Sequence, residues 1–259
     1  MSDAWEIIRD EGPLVAAAIH DGSDVRLEVA EWMTLHESDR LREQDPHTAE
    51  WTAVAPTRII GRRSRFEVDF NRPRERAVYR APEDSWGLSV WRAAPPAEII
   101  ERSLLIYDAF YADVRETLEG LIARHGKIVV LDLHSYNHRR FGPNGPFADP
   151  EANPEVNVGT GTLDRKLFGP VIDRFMADLR AFDYHGRTLD VRENVKFRGG
   201  HFSQFIHQSF PGKACVPAIE FKKFFMDEWS GEPDPVQVET IRRALLAAVP
   251  GLLEELART

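Results

Sequence analysis

The stretch that most constrains the fold is Lys127–His138, in which an apolar run is followed at once by an acid and a histidine. The β-branched and apolar residues 128–131 predict a strand that is buried on both faces. Asp132 and His134 are two positions apart, so on a strand their side chains lie on the same side. Ligands of open α/β folds bind at the carboxyl ends of strands. The pair therefore indicates either a metal ligand with the carboxylate that orients it, or a histidine that only caps a loop.

A second apolar run, residues 14–19, predicts another buried strand, and it also ends in a histidine, His20, at a glycine turn. The polar segment of residues 41–48 contains a proline and is predicted to be a loop. Its charged residues Glu43, Asp45 and His47 are either functional or only solvated loop charges. The two strands each place a histidine at the predicted active edge of the sheet.

The remaining periodicity predicts strands alternating with helices. Three segments have the 3.6-residue repeat of amphipathic helices: residues 96–125, 163–182 and 235–256. Four shorter segments have the composition of strands: residues 58–60, 64–73, 189–195 and 216–222. Residues 136–161, rich in Pro, Gly and Asn, are predicted to form a long loop. No composition shift marks a boundary, so we predict one α/β domain over residues 1–259.

Composition excludes several classes of protein and of site. A net charge of -9 and a pI of about 5.5 disfavour binding to nucleic acid or anionic membranes. No apolar run approaches the ~18 residues of a membrane span. Met1–Glu6 has neither a basic region nor an apolar run, so we expect no signal peptide and a cytoplasmic location. Cys215 is the only cysteine, which excludes an internal disulfide and a cysteine-rich zinc cluster. A metal here would need His and carboxylate ligands.

Several polar residues are suited to binding a substrate. Asn71 and Arg72 could hold an anion, because a guanidinium grips a carboxylate with two parallel hydrogen bonds. The alternative is a structural ion pair between Arg72 and a nearby acid. His201, which follows a flexible Gly-Gly pair, and His207 are further candidates for substrate contacts. Their alternative is an ordinary surface position.

Glu220 is a candidate general base. It lies among apolar neighbours in the strand predicted at residues 216–222. Burial penalises the charged carboxylate and raises its pKa, which is what a base working near neutral pH requires. The alternative is a solvated or ion-paired glutamate beside Lys222.

Six motifs occur in an order that resembles the N-formylglutamate amidohydrolase (N-formylglutamate deformylase) family over nearly the whole chain. Two of them are specific: Ser64–Pro73 and Leu131–Ser135. Four are looser: His20–Gly22, Glu43–Pro46, Phe197–Gly200 and Ile219–Glu228. The family is similar in fold to the zinc carboxypeptidases. The resemblance therefore implies a three-layer α/β/α fold with a mixed, largely parallel sheet.

The resemblance implies a catalytic zinc site. His20 and His134 would bind Zn²⁺, with Asp45 as the third protein ligand and Glu43 as the alternative. Asp132 would orient His134 from behind. Two histidines and one carboxylate leave a coordination position open, as catalytic zinc sites do.

The implied activity is hydrolysis of an N-formyl or similar small N-acyl amino acid, such as N-formylglutamate. Glu220 would act as the general base, Arg65 would stabilise the oxyanion, and Asn71 and Arg72 would hold the substrate carboxylate. The alternatives are a carboxypeptidase-like or peptidoglycan-peptide hydrolase on the same fold, or a non-catalytic binding relative.

The chain departs from the family pattern at two positions. Asp21 places an extra acid beside His20, which would bear on metal affinity. His201 stands where the relatives carry tyrosine, which bears on the identity of the substrate.

Overall fold

The computed structural model describes residues 3–259, so the first two residues of the N-terminal stretch lie outside the described part. The described residues form one sheet of eight strands with helices on both faces. The strands are β1 (Trp5–Ile8), β2 (Leu14–Ala18), β3 (Thr57–Gly61), β4 (Ile128–Tyr136), β5 (Val156–Gly159), β6 (Val191–Glu193), β7 (Ala214–Cys215) and β8 (Ala218–Lys222).

Within residues 3–259, four short helices and three long ones accompany these strands. They are α1 (Leu27–Ala30), α2 (Glu37–Glu43), α3 (Thr48–Trp51), α4 (Ala97–His125), α5 (Arg165–Ala181), α6 (His201–Ser209) and α7 (Pro235–Leu256). Short 3₁₀ turns occur at Thr52–Val54, Arg74–Arg76 and Pro82–Ser85. Within residues 3–259, no helix has the length and apolar character needed to cross a membrane.

The sheet is mixed and largely parallel. The strand order is β1-β3-β2-β4-β8-β5-β6, and β7 also pairs with β4. Only the β1–β3 and β5–β8 pairs among the described strands are antiparallel. The nine residues of β4 are all buried, which confirms the prediction of a strand covered on both faces.

Helices cover the sheet on both faces, so the predicted three-layer α/β/α architecture is confirmed. Val129, Leu131 and Leu133 of β4 pack with α5 and α7, whereas Ile128 and Val130 pack with α4 and α6. Because side chains alternate along a strand, the next even-numbered positions of β4, which carry an acid and a histidine, project on the α4–α6 side. The end of β4 therefore delivers both polar side chains to the same face.

The three predicted long helices are observed with almost the predicted bounds. Asp164 and Asp234 cap the N-termini of α5 and α7, since each carboxylate accepts hydrogen bonds from two backbone N–H groups. Gly126, with φ +77°, ends α4, because glycine adopts this left-handed backbone region without strain. These boundaries depend on local chemistry and were therefore readable from the sequence.

The strand predicted at residues 64–73 is wrong. This segment consists of turns, and its residues 66–70, apolar and acidic alike, are buried. Glu67 is buried because its carboxylate binds Arg26 at 2.7 Å, and Asp69 is buried because it binds His20 at 2.7 Å. The alternation of apolar and polar residues here comes from paired interior charges, not from a solvent-exposed strand face.

Two other connections differ from the predictions. The loop predicted at residues 136–161 contains β5, whose alternating valines lie in the core. The predicted loop at residues 41–48 overlaps the end of α2. Both elements are short, so their hydrophobic periodicity is weak in sequence.

Candidate active site

The candidate site lies at the carboxyl ends of β2, β4 and β8. A cavity of about 370 Å³ opens there, and its lining includes His20, Asp45, His134 and Glu220. His20 follows β2, His134 lies in β4 and Glu220 lies in β8. The parallel pairing of these three strands brings their ends to one edge of the sheet.

Three potential metal ligands converge on one point. His134 Nδ1 is 3.0 Å from Asp45 Oδ2, and His20 Nδ1 is 3.4 Å from the same oxygen. One ligand atom from each residue lies within 4.8 Å of the other two, and no side chain is more than 4% exposed. His20 Nδ1 is buried with no hydrogen-bond partner among residues 3–259. This arrangement is the one expected around a cation, because each atom can turn a lone pair to the common point once the ring nitrogens there have lost their protons.

Each histidine is oriented by a carboxylate behind it. His20 Nε2 donates to Asp69 Oδ1 at 2.7 Å, and His134 Nε2 donates to Asp132 Oδ1 at 2.9 Å. Both carboxylates are fully buried. With the proton on Nε2, the Nδ1 lone pair of each ring faces Asp45. The strand-end cap predicted as the alternative for His134 is therefore not what the structure shows.

The charges of the three groups depend on one another. Burial by itself would raise the pKa of Asp45, but the hydrogen bond with His134 and the charges of His134 and His20 hold it well below its ordinary value. Burial would likewise lower the pKa of His134, but the charge of Asp132 and its hydrogen bond raise it well above the usual range. A cation entering here displaces protons, so its affinity should fall as the pH falls.

The structure places Asp45, and not Glu43, against both histidines. The Glu43 carboxylate instead accepts hydrogen bonds from Arg42 at 3.2 Å and from Arg140 at 3.3 Å. It lines the same cavity but faces these cations.

The segment that carries Asp45 is held by a buried lysine that the sequence reasoning missed. Lys223, which follows β8 and is 1% exposed, donates from Nζ to the carbonyl oxygens of Arg42 at 2.6 Å and Gln44 at 2.7 Å. Burial lowers the pKa of Lys223 to about 8. The sequence feature that could have indicated this role is a lysine directly after a buried strand.

Asp69 is the centre of a second buried network. Besides His20, it accepts hydrogen bonds from Asn71 N at 2.7 Å, from Arg65 Nη2 at 2.9 Å and from the Tyr79 hydroxyl. Burial opposes ionisation, but the charges of Arg65 and His20 keep the pKa of Asp69 well below its ordinary range. The network fixes Arg65, whose guanidinium lines the cavity.

Asn71 and Arg72 both line the cavity. The Asn71 side chain accepts a hydrogen bond from Phe202 N at 2.9 Å and so anchors the start of α6. A Cβ atom on Gly200 would lie 2.2 Å from Asn71 Oδ1, so this close approach requires glycine. Arg72 Nε is 3.9 Å from Asp69 Oδ2, which is too far for a hydrogen bond. The guanidinium of Arg72 therefore has a weak internal partner and faces the cavity.

Glu220 lies beside the metal-ligand cluster. It is the register partner of His134 on β4 and of Asn157 on β5. Burial raises the pKa of Glu220 to about 8, and the charge of His134 opposes that rise. The alternative of an ion pair with Lys222 is not observed, since Lys222 Nζ donates to the carbonyl oxygen of Asn153 at 2.9 Å.

The raised pKa predicts how stability depends on pH in the metal-free protein. Because the folded pKa lies above the unfolded value, the folded state binds more protons between pH 4.5 and 8, and Glu220 makes folding less favourable as the pH rises through that window. Glu220→Gln cannot titrate. Its gain in Tm over the wild-type chain should therefore grow from pH 5 to pH 8.5, by roughly 10 °C. Thermal unfolding in a chelator measures this, and an equal Tm difference at both pH values would contradict it.

A family model described as N-formylglutamate amidohydrolase matches residues 12–222, which is most of the chain. The chain belongs to the N-formylglutamate amidohydrolase family. Comparison with curated proteins gives no significant match.

Two solved structures of low sequence identity share the fold of this chain. An N-formylglutamate amidohydrolase from Ralstonia eutropha JMP134 has a TM-score of 0.74 and 18% identity, with 98% of each chain covered. A gene product of Agrobacterium tumefaciens has a TM-score of 0.61 and 16% identity, with 97% of this chain and 96% of that chain covered. A metallo-carboxypeptidase from Burkholderia cenocepacia matches more weakly, with a TM-score of 0.37 and 16% identity, over 94% of this chain and 57% of that chain.

The two departures from the N-formylglutamate amidohydrolase pattern have structural explanations. Asp21 Oδ1 accepts a hydrogen bond from Ala49 N at 2.9 Å, so this acid caps the start of α3. The His201 ring packs against Tyr111 at a centroid distance of 5.7 Å, and His201 is not in the described lining of the cavity. Neither residue joins the described cluster of three ligands.

His207, the other candidate substrate contact, also has a structural position. Its Nδ1 shares a hydrogen bond with Thr162 Oγ1 at 2.8 Å, and its Nε2 accepts one from Val216 N at 3.1 Å. The ring links α6 to the segment before β8. The described contacts therefore give no support to a substrate role for His207.

The carboxylates behind the histidines lead to a matched pair of predictions. Asp132→Asn and Asp69→Asn should each weaken Zn²⁺ binding roughly 10–100-fold, because a neutral amide holds the imidazole less firmly and lowers its basicity. Competition with a fluorescent chelator measures the affinity. The control is Asp113→Asn, which replaces a carboxylate that accepts a hydrogen bond from Trp5 Nε1 at 3.0 Å. This variant should bind zinc normally. Unchanged zinc affinity in both site variants would rule out the orienting role.

Proposed function

We propose that this protein is a zinc-dependent amidohydrolase that hydrolyses an N-formyl or similarly small N-acyl amino acid, such as N-formylglutamate. The observation that carries the proposal is the convergence of His20, Asp45 and His134 beside Glu220 in one cavity. Family membership supports the class of reaction.

The donor set fits Zn²⁺. Two imidazole nitrogens and one carboxylate oxygen make three protein ligands. This number and these ligand types are typical of catalytic rather than structural zinc sites. Zinc held there supplies Lewis-acid polarisation of a carbonyl and makes water acidic near neutral pH. His20, His134 and Asp45 would hold the ion, with Asp69 and Asp132 orienting the rings.

Glu220 would move the proton. Its carboxylate accepts the proton of the attacking water and then passes it to the departing amine nitrogen. A pKa raised to about 8 by burial makes Glu220 a stronger base than an exposed glutamate. The apolar strand around Glu220 and its pairing with β4 and β5 hold the carboxylate beside His134.

Cations around the cavity would bind the rest of the substrate. Arg65 is held rigidly by Asp69 and supplies a positive charge for the developing oxyanion. Arg72 and the carboxamide of Asn71 are placed to hold the substrate carboxylate. The volume of about 370 Å³ matches a small ligand, which favours an N-acyl amino acid over a long peptide.

A deacylation screen tests the proposal. The metal-reconstituted protein is assayed with N-formyl, N-acetyl and N-carbamoyl derivatives of glutamate and alanine, and with short peptides that have a free carboxyl end. We expect amine release from the N-formyl compounds that a chelator abolishes and Zn²⁺ restores. Release from peptides alone would move the function to the carboxypeptidase-like alternative, and no release at all would overturn the proposal.

A further inference from the structure

The indole of Trp86 lines the cavity but has no role in the proposed reaction so far. Most of the residues around the cavity are polar, and Trp86 is a large aromatic residue among them that is 43% exposed. Its Nε1 donates no hydrogen bond to any group in residues 3–259. A large, partly exposed aromatic ring at a polar cavity indicates a function beyond core packing.

The backbone holds Trp86 in a conformation that is unusual for a bulky residue. Its φ is +54°, in the left-handed region. Trp86 follows the 3₁₀ turn at Pro82–Ser85, and Gly87 N donates back across this turn to the carbonyl oxygen of Pro82 at 2.7 Å. A second hydrogen bond, from Leu88 N to the carbonyl oxygen of Ser85 at 2.9 Å, closes the segment. Backbone strain of this kind is concentrated at active sites and ligand clamps.

The ring lies against the guanidinium of Arg65. Arg65 Cζ is 4.8 Å from the centroid of the Trp86 ring, within the range of a cation–π contact. The indole also meets the rings of Tyr79 and Phe66, at longer centroid distances of 6.1 and 6.4 Å. The Arg65 side chain is only 12% exposed, so the more exposed indole shields it from solvent.

Arg65 has N–H groups available to a ligand. A guanidinium has five N–H bonds. Within residues 3–259, Arg65 donates from Nε to the Tyr79 hydroxyl at 3.2 Å, from Nη1 to the carbonyl oxygen of Glu43 at 3.3 Å and from Nη2 to Asp69 Oδ2 at 2.9 Å. One N–H on each of Nη1 and Nη2 therefore has no described protein partner. Since Asp69 also binds His20 at 2.7 Å, these N–H groups lie next to the metal-ligand cluster.

We propose that Trp86 is a positioning residue for the oxyanion: its indole excludes water from the Arg65 guanidinium and so strengthens the hydrogen bonds that Arg65 donates to the tetrahedral intermediate. The inference rests on the proposed function for the position of the oxyanion. Water beside a cation screens its charge, and an apolar ring in place of that water lowers the local dielectric constant. Trp86 thus acts through Arg65 and not through a bond to the substrate.

Kinetics of Trp86→Leu and Trp86→Phe with N-formylglutamate test the assignment on zinc-reconstituted protein. Trp86→Leu removes the aromatic face and should lower kcat about 10-fold, with KM changed less than about 3-fold, because charge on the oxygen develops only in the transition state. Trp86→Phe keeps an aromatic face and should retain kcat within about 3-fold. Trp5→Leu, which replaces a tryptophan of β1 outside the described lining of the cavity, is the control and should have the wild-type kcat. Wild-type kcat in Trp86→Leu, or a loss confined to KM, would overturn the assignment.

A double-mutant cycle gives a result that a purely structural role of Trp86 would not produce. Arg65→Met alone should lower kcat about 100-fold, as expected for the loss of an oxyanion donor. In that background Trp86→Leu should cause no further loss, because the indole acts through the guanidinium that is now absent. Additive losses in the double variant would show that Trp86 acts independently of Arg65 and would overturn the proposal.

Binding of methylphosphonate separates this inference from the proposed function. This tetrahedral anion can accept the available N–H groups of Arg65 without any turnover. By calorimetry, the zinc-loaded wild-type protein should bind it about 10-fold more tightly than Trp86→Leu does, and the difference should vanish in the Arg65→Met background. If no N-formyl amino acid is hydrolysed while that difference persists, the proposed function fails and the pairing of Trp86 with Arg65 stands. Equal affinity in the wild-type protein and Trp86→Leu would overturn the pairing even if N-formylglutamate is hydrolysed.

Discussion

Glu220→Gln should reduce kcat for N-formylglutamate by at least about 1,000-fold while leaving Zn²⁺ affinity within a few-fold of the wild-type value. The amide has nearly the same shape as the carboxylate but cannot accept the proton of the attacking water. The loss should be large because no other carboxylate in the described lining of the cavity can take over this role. Asp45 contacts the two histidines, and Glu43 is paired with Arg140. Steady-state kinetics on zinc-reconstituted protein, with zinc content measured in the same samples, gives both quantities.

The control for this experiment is Glu151→Gln, which replaces an acid whose side chain is 91% exposed and lies outside the cavity. It should hydrolyse the substrate at the wild-type rate. A Glu220→Gln variant with more than about one tenth of wild-type kcat would exclude Glu220 as the general base.

Asp45→Asn should weaken Zn²⁺ binding by more than about 100-fold, beyond the loss expected for a residue that only orients a ligand. Asp45 Oδ2 is the oxygen that faces both His134 Nδ1 at 3.0 Å and His20 Nδ1 at 3.4 Å, so the neutral amide removes the negative charge at the point of convergence. Chelator competition measures the affinity, and hydrolysis should be lost in parallel at limiting zinc.

Glu43→Gln is the matched variant, because Glu43 lies two positions before Asp45 and lines the same cavity. Its zinc affinity should change less than about 10-fold, since its carboxylate binds Arg42 and Arg140. The reverse result, with zinc retained by Asp45→Asn and lost by Glu43→Gln, would show that Glu43 is the metal ligand.

Much of the fold was predictable because it depends on local pattern. The helices α4, α5 and α7 follow from the 3.6-residue repeat and from residues at their ends, and β4 follows from a continuous apolar run. The turn-rich segment at residues 64–73 was not predictable in this way. Its alternation resembles that of a strand, but Glu67 and Asp69 are buried by partners far away in the sequence.

In the candidate site, too, contacts between residues close in sequence were predictable and contacts between distant residues were not. His134 and Asp132 lie on one strand, and side chains two positions apart necessarily share a face, so their pairing was visible in the chain. The corresponding carboxylate for His20 is Asp69, 49 positions away, and no local repeat connects them. Lys223 likewise reaches a segment 179 positions earlier to bind Gln44.

The local pattern of residues was sufficient to predict that the apolar run of β4 is a buried strand with an acid and a histidine near its end, because strand periodicity and burial depend mainly on nearby residues. In contrast, long-range packing determines that Asp45, and not Glu43, faces the two histidines. That choice depends on where packing places the end of α2 and on which carboxylate Arg42 and Arg140 neutralise. The Arg140–Glu43 contact joins residues 97 positions apart, and the order of residues along the chain does not specify such a partner.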